Sequence, residues 1–489
     1  MDKYLLVIDE GTTSTRAMLF TADGRCAASE ATPLDQHYPR PGRVEHDAAE
    51  IWRKTLRVTA AMVAQAGGAD RIAGIGITSQ RETIVFWDKR TGEPLAPAIV
   101  WQDRRTAADC AALRDAGHEP LVQTRTGLLL DPYFSASKIG WAMREWPDLA
   151  AAGDRLAVGT IDSWLIWKLT GGAHLTDATN ASRTALMAIG AGTWDDEMIA
   201  LFDVPRAALP EIVDSAGAFG TTRAFGGSIP ICGIAGDQQA ASIGQACTAP
   251  GETKATFGTG AFILTHAGAT QPRSDRRLLS TIAVQLGGIR SYALEGSVFV
   301  AGSLVQWLRD SLGLIAAAKD TEGLARSVPD NGGVFLVPAL SGLGAPWWEP
   351  NARGAISGLS FASGKAHVAR AALEAMAHQA HDLKTAFAAD GQDWRTLRID
   401  GGMVANDWIA QDLADMLGLT VERPKFAETT ALGAAMLAGI GAGWFEDLDA
   451  AAAMRGELET FEPAMTAEVR DTRLAGWKAA VDSVVALAG

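Results

Sequence analysis

Short apolar runs bounded by glycine, threonine and charged residues recur along the chain and predict alternating strands and helices. The first, Tyr4-Leu-Leu-Val-Ile-Asp9, leads through Glu10-Gly-Thr-Thr-Ser-Thr into Arg16-Ala-Met-Leu-Phe20, which reads as strand, turn, strand. Ile72-Ala-Gly-Ile-Gly-Ile-Thr78 is a buried strand that delivers Ser79-Gln-Arg-Glu82 at its end. Ile229 to Ile234 is another, followed by a small-residue turn, Asp237 and the start of a helix. The pattern then repeats. Thr253-Lys-Ala-Thr-Phe-Gly-Thr-Gly-Ala-Phe-Ile-Leu-Thr265 is again strand, Gly/Thr turn, strand, and Leu397-Arg-Ile-Asp400 ends in a Gly-Gly turn that runs to Asn406. Helical periodicity over His367–Ala377 and Ala427–Leu437 separates these strands and fits βα layering. A duplication of two α/β domains facing one nucleotide cleft explains the repeat, with domains over residues 1–245 and 246–489.

Composition narrows the class. A chain of 489 residues is too long for one ordinary core, which also favours two domains. The net charge of −14, from 43 basic and 57 acidic residues, argues against non-specific nucleic-acid binding and against adhesion to anionic membranes. It leaves room for a phosphorylated substrate, whose site is a local field of amides and a cation. No apolar run approaches the ~20 residues of a membrane span, and the opening run reads as a strand and not a leader. Cys26, Cys110, Cys232 and Cys247 are scattered, as in a reduced, cytoplasmic protein.

Several positions carry candidate chemistry. Successive amides and hydroxyls at Thr12, Thr13 and Ser14 form a nest suited to phosphate oxygens, with Asp9 placed to act on Mg²⁺, as in actin-like ATPases. A plain β-hairpin is the alternative. Asp237, on a turn of small residues, is either the catalytic base that reaches a substrate hydroxyl or a helix N-cap. Arg81 and Glu82 either hold two hydroxyls of a small polyol or form a solvated charge pair. Trp101 and Tyr133 are amphipathic aromatics beside turn residues, suited to a pocket wall or to core packing. His378 and His381 share a helix face, but no third metal ligand accompanies them. Neither a Walker-A sequence nor Gly-x-Ser-x-Gly is present.

Taken in order, these segments carry a resemblance. The chain resembles the FGGY carbohydrate kinases, and among them those acting on glycerol, over essentially its whole length. The resemblance rests on Asp9–Arg16, Ser79–Thr83, Ile99–Thr106, Asp131–Ser135, Gly159–Trp167, Thr176–Arg183, Gly236–Gln239, Phe257–Gly260, Leu294–Gly302, Gly342–Trp347 and Asp400–Asn406. It implies two actin-like (ribonuclease H-like) domains around an ATP/substrate cleft. The first would hold polyol and phosphate and the second the nucleotide. Glycerol hydroxyls would be held by Arg81, Glu82, Tyr133, Asp237 and Gln238, with Trp101 and Phe262 against the carbons. ATP would contact Thr12, Thr13, Ser14, Arg16, Thr259, Gly302, Gln306, Gly402 and Asn406, with Mg²⁺ at Asp9 and Asp237. The implied reaction is ATP-dependent phosphorylation of glycerol to sn-glycerol 3-phosphate, in a homodimer or homotetramer. A longer polyol or ketose such as xylulose or ribulose is the alternative substrate. An ATP-binding switch without a second substrate is disfavoured by Asp237.

Two departures from the family pattern stand out. Position 10 is Glu where the family commonly has Gln, so a second acid stands beside the phosphate turn. The loop Phe225-Gly-Gly-Ser-Ile-Pro230 lacks the Gly-Gly-Thr-Arg sequence with which some relatives bind an inhibitory sugar bisphosphate, and lacks the phosphorylatable His of others. Initial rates should therefore be unchanged by added fructose 1,6-bisphosphate; measurable inhibition would overturn that expectation.

Overall fold

The computed structural model describes residues 3–349 and 351–488. In the first half, β1 (Tyr4–Glu10) and β2 (Ser14–Phe20) form the expected hairpin and β3 (Cys26–Pro33) continues it antiparallel. Helix α1 (Ala48–Ala66) begins at Asp47, whose side chain accepts from the Ala49 amide. It leads into β4 (Ile72–Ser79), parallel to β1, and much later in the chain β5 (Ile229–Gly236) pairs parallel to β4. Leu5, Leu6, Val7 and Ile8 are all fully buried, as expected of a parallel-paired strand covered on both faces. A further layer lies between β4 and β5 in sequence. It includes helix α2 (Ser135–Glu145) and three strands of a four-stranded sheet whose fourth strand, Glu45–His46, precedes β4.

Helix α3 (Asp237–Gly244) follows β5 directly, and β6 (Glu252–Phe257) then opens the second sheet. Its strands are β6, β7 (Ala261–Gly268), β8 (Leu279–Leu286), β9 (Ile289–Val298), β10 (Thr396–Asp400), β11 (Val421–Pro424) and β12 (Leu458–Phe461). The order in the first sheet is β5-β4-β1-β2-β3, with Thr221–Thr222 at one edge; in the second it is β8-β9-β7-β6-β10-β11-β12. Thus β9-β7-β6-β10-β11 repeats β3-β2-β1-β4-β5, with the same parallel and antiparallel neighbours. Both Gly/Thr turns occupy the same place in the two sheets.

Three helices of the second half matter for the site: α4 (Gly302–Asp310), α6 (Asp407–Leu417) and α7 (Thr429–Gly441), with the long α5 (Lys365–Ala389) between α4 and α6. Although late in the chain, α7 packs its Ala431, Ala434, Ala435 and Ala438 against Leu5, Val7, Ala235 and Ala240 of the first sheet and α3. The crossing of α7 over α3 is backbone on backbone. A Cβ on Gly433 would stand 1.8 Å from the Ala240 carbonyl oxygen, and one on Gly244 2.0 Å from that of Thr429. No rotamer change relieves a clash with main chain. Gly433→Ala should therefore cost about 1–3 kcal/mol as the helices separate, read as a fall in Tm of several degrees; an unchanged Tm would show that α7 shifts freely.

Candidate active site

The phosphate-type turn is set by the pleat of β1. Asp9 pairs with Arg16 across the hairpin and Glu10 with Thr15, so the two acids point to opposite faces. Asp9 Oδ2 accepts from Arg16 Nη2 at 2.6 Å, while Oδ1 has no hydrogen-bond partner among the described residues. Burial pushes the Asp9 carboxyl up, and Arg16 works against that rise. Arg16 also donates to Glu428 Oε2 at 2.5 Å, just before α7. Glu10 is fully buried on the other face, accepting from Thr15 at 2.8 Å and from Thr55 of α1 at 3.2 Å. Burial holds its carboxyl well above the usual range. The Gly11 amide donates to the Ser14 carbonyl at 3.0 Å and closes the turn. The Thr12 hydroxyl accepts from Trp101 Nε1 at 2.9 Å, joining this turn to the expected pocket wall.

Parallel pairing brings three strand ends together. Asp9 and Ala235 both lie beside Thr78, and Glu10 and Gly236 both lie beside Ser79. The next residues, Gly11, Gln80 and Asp237, therefore emerge side by side at the carboxyl ends of the strands. The Gln80 amide donates to the Glu10 carbonyl at 2.8 Å and its Nε2 to the Gly11 carbonyl at 3.1 Å. Arg81 and Glu82 are 2% and 1% exposed, so they are not the solvated pair that the sequence also allowed. Glu82 takes a φ of 63°, a conformation uncommon for a side-chain-bearing residue.

Around Arg81 a polar pocket forms. Its Nη2 donates to the Tyr133 hydroxyl at 3.5 Å, its Nη1 to Glu295 Oε2 at 2.7 Å, and its Nε lies 3.5 Å from Asp237 Oδ1. Burial works against the Arg81 charge, but Glu295, Glu82 and Asp237 more than offset it. Trp101 meets Tyr133 edge-on with ring centres 5.6 Å apart. Behind both, the buried Lys138 donates to the carbonyls of Trp101 and Tyr133 at 3.0 Å each, and burial draws its amine down to about 7.

Asp237 is the first residue of α3, and the N-cap is Gly236, which corrects the capping alternative. Its Oδ1 accepts from the Gln238 amide at 2.7 Å, and the side chain is 32% exposed. Its carboxyl is raised chiefly by burial, with Arg81 and Lys254 opposing and Asp9 adding to the rise. Gln238 Oε1 accepts from Lys254 Nζ at 2.5 Å. Lys254 pairs with Leu264, Leu264 with Glu295, Thr256 with Phe262, and Phe262 with Ser297. Directly paired residues share a face, so Lys254, Phe262 and Glu295 all stand on the same side of the second sheet.

The remaining predicted positions gather at the ends of β6 and β10, which are parallel neighbours. Thr259 lies in the β6–β7 turn, and its carbonyl accepts from the Ala301 amide at 2.9 Å. The Gly302 amide, at the start of α4, donates to the Gly258 carbonyl at 2.8 Å, and Gln306 is exposed one turn on. Gly401 has a φ of 96°, which only a glycine takes readily, and Gly402 beside it is exposed. Asn406 caps α6, its Oδ1 accepting from the amides of Trp408 and Ile409 at 2.9 and 3.3 Å. That leaves only its Nδ2 for a ligand. His378, by contrast, stacks on Trp477 with ring centres 5.0 Å apart, and among the described residues no group of three acidic, histidine or cysteine side chains could hold a metal.

The sequence reading assigned no role to Glu295, Arg183, Lys254 or Lys138. For Glu295 the available signal was a charged residue that follows the apolar Tyr-Ala-Leu run of its strand.

Two like sheets, each presenting a phosphate-type turn, and a partly exposed carboxylate beside buried polar groups define a phosphotransferase of the actin-like class. Residues 4–244 match the N-terminal domain of the FGGY family of carbohydrate kinases, and residues 253–442 match its C-terminal domain. The chain belongs to that family. It is 54% identical to a glycerol kinase of Methylobacterium nodulans and 53% identical to one of Rhodospirillum centenum, covering 98% of this chain in both and 98% and 97% of those proteins. The structure superposes on Plasmodium falciparum glycerol kinase with ADP at a TM-score of 0.94 and 35% identity, covering 99% of this chain and 98% of that one.

Because Glu10 faces α1 and not the turn, Glu10→Gln should change KM for MgATP by no more than about twofold, the range of substitutions that touch no ligand. A much larger change in steady-state kinetics would place Glu10 at the phosphates.

Proposed function

We propose that this chain transfers the γ-phosphoryl group of ATP to a terminal hydroxyl of glycerol, giving sn-glycerol 3-phosphate and ADP in glycerol catabolism. The observation that carries this reading is the convergence of the buried Arg81 and Glu82 with the partly exposed Tyr133 and Asp237 beside the Trp101 ring. Glycerol has three hydroxyls and little apolar surface, so its recognition must come from hydrogen bonds. Buried polar partners left unpaired by a wrong substrate make such a site selective by up to ~10⁴-fold. Glu82 remains raised by burial despite Arg81 and Arg183, so a donated hydroxyl proton would stabilise it. The high identity to glycerol kinases disfavours xylulose or ribulose as the substrate.

In the proposed step Asp237 Oδ2, which has no hydrogen-bond partner among the described residues, accepts the proton of the attacking hydroxyl. The hydroxyl oxygen bonds to the γ-phosphorus as the bond to the β-phosphate bridging oxygen breaks, and ADP leaves. Arg81 and Lys254 oppose the rise that burial imposes on the Asp237 carboxyl. Thr12, Thr13, Ser14 and Arg16 would hold the terminal phosphates. Thr259, Gly302, Gln306, Gly402 and Asn406 would hold the rest of the nucleotide. Tyr133 and Gln238 would take further hydroxyls, and Trp101 and Phe262 the carbons.

Mg²⁺ fits this donor set. Asp9 raises the Asp237 carboxyl, so the two acids share a field that a divalent cation would offset, and Mg²⁺ takes most ligands from phosphate and water. Asp9 and Asp237 would hold it, directly or through waters, and when bound it would neutralise charge on the phosphoryl oxygens. The reading extends to a division into residues 1–245 and 246–489, a cytoplasmic location and a homodimer or homotetramer. No described helix is long and apolar enough to cross a membrane.

The experiment is ADP release from MgATP with glycerol, D-xylulose, D-ribulose and gluconate offered separately, in wild type and Asp237→Ala. Turnover is expected with glycerol alone, with a loss of about 10²–10⁴-fold in the variant while nucleotide binding persists. Turnover on a longer sugar, or near-normal turnover in the variant, would overturn the substrate or the base respectively.

A further inference from the structure

Four buried charges between the two sheets close into a ring. Arg183 Nε donates to Glu82 Oε1 at 2.7 Å and its Nη2 to Glu295 Oε1 at 2.9 Å. Arg81 Nη1 donates to Glu295 Oε2 at 2.7 Å, and Arg81 Nε lies 3.8 Å from Glu82 Oε1. No member is more than 2% exposed. Cations and anions alternate, so the ring carries no net charge. Arg81 and Glu82 follow β4 of the first sheet, Arg183 follows the short helix Ala178–Ala181, and Glu295 alone comes from the second sheet.

The ring also fixes which polar atoms remain for a ligand. Glu82 Oε2 accepts no hydrogen bond among the described residues, and Arg183 Nη1 is buried without a partner. Both carboxylate oxygens of Glu295 are occupied by the two arginines. Glu295, 1% exposed, therefore presents no unpartnered oxygen to substrate. Its effect runs through the groups that it holds.

Resting on the glycerol reading above, we propose that Glu295, with Arg183, is a positioning residue that sets substrate charge specificity: it aims Arg81 and Glu82 at the polyol and keeps their surroundings neutral. With Glu295 made neutral, two arginines face Glu82 alone, and a buried unpaired cation recruits an anion. Asp237 and Lys254, the other charged groups facing Arg81, are unaltered by the substitution. A pocket without net charge accepts an uncharged triol and rejects its carboxylate analogue.

The test uses the full-length enzyme with glycerol as substrate and D-glycerate as competing ligand, and reads the ratio of the glycerate Ki to the glycerol KM. Glu295→Gln should raise the glycerol KM tenfold or more, leave KM for MgATP within about twofold, and lower the ratio about thirtyfold or more, the low end of the scale of one mispaired buried charge. Arg183→Gln, with the opposite imbalance, should not lower the ratio, and the double variant should return it toward wild type. A parallel weakening of glycerol and glycerate, or equal rises in both KM values with a lower Tm, would make the ring merely structural and overturn the proposal. If wild type itself fails to phosphorylate glycerol, the substrate reading fails instead, so the two outcomes are separable. Should Glu295→Gln not fold, a lowered ratio in Arg183→Gln overturns the proposal by itself.

Discussion

Charge taken out of water must be balanced by charge, and that constraint governs the centre of this protein. Arg81, Glu82, Arg183 and Glu295 are almost fully buried, and each would be costly alone. Their mutual pairing makes the cluster tolerable and leaves it uneven. Burial lifts Glu82 above the usual carboxylate range, whereas the two arginines hold Glu295 below it. The better-compensated acid is fully engaged, and the less-compensated one retains an unpartnered oxygen. In the proposed reading, hydroxyl recognition would fall to Glu82, the acid that keeps an unpartnered oxygen.

Backbone contact supplies the precision that such a cluster needs. Asp237 is held by α3, and α3 is held by α7 through a crossing too close for any side chain on Gly244 or Gly433. Contact between backbones has fewer soft degrees of freedom than contact between side chains. A helix from late in the chain thereby fixes a carboxylate at the end of an early strand. The same helix is preceded by Glu428, which pairs with Arg16 of the phosphate-type turn. Asp9, through Arg16, and Asp237, through α3, are therefore both tied to the α7 segment.

Much of this was legible in the sequence because it depends on local patterning. The strand ending before Asp237, the Gly/Thr hairpins of both halves and the polar run after β4 follow from periodicity and turn chemistry. Pairing across long sequence distances was not. Nothing local says that Glu295 meets Arg81, 214 positions away, or that α7 crosses to the first sheet. Glu10 shows the boundary clearly. Its identity was visible, but the face it takes follows from the register that sets it opposite Thr15 and beneath α1. Asn406 shows the reverse, since a position expected to meet a ligand also closes a helix end.

The ties between the halves bear on how the proposed reaction avoids wasting ATP. Glu295 to Arg81, Lys254 to Gln238 and Glu428 to Arg16 each join a group of the second half to one of the expected substrate or phosphate positions. The proposed polyol pocket is therefore incomplete without the sheet that would carry the nucleotide. Lys254 stands at the seam, close enough to oppose the rise of the Asp237 carboxyl and bonded to Gln238, which would take a hydroxyl. An acceptor that fills the pocket would strengthen the same contacts that bring the nucleotide turns to Asp237. Water, making fewer of these contacts, would assemble the site poorly, and phosphoryl transfer would follow the polyol.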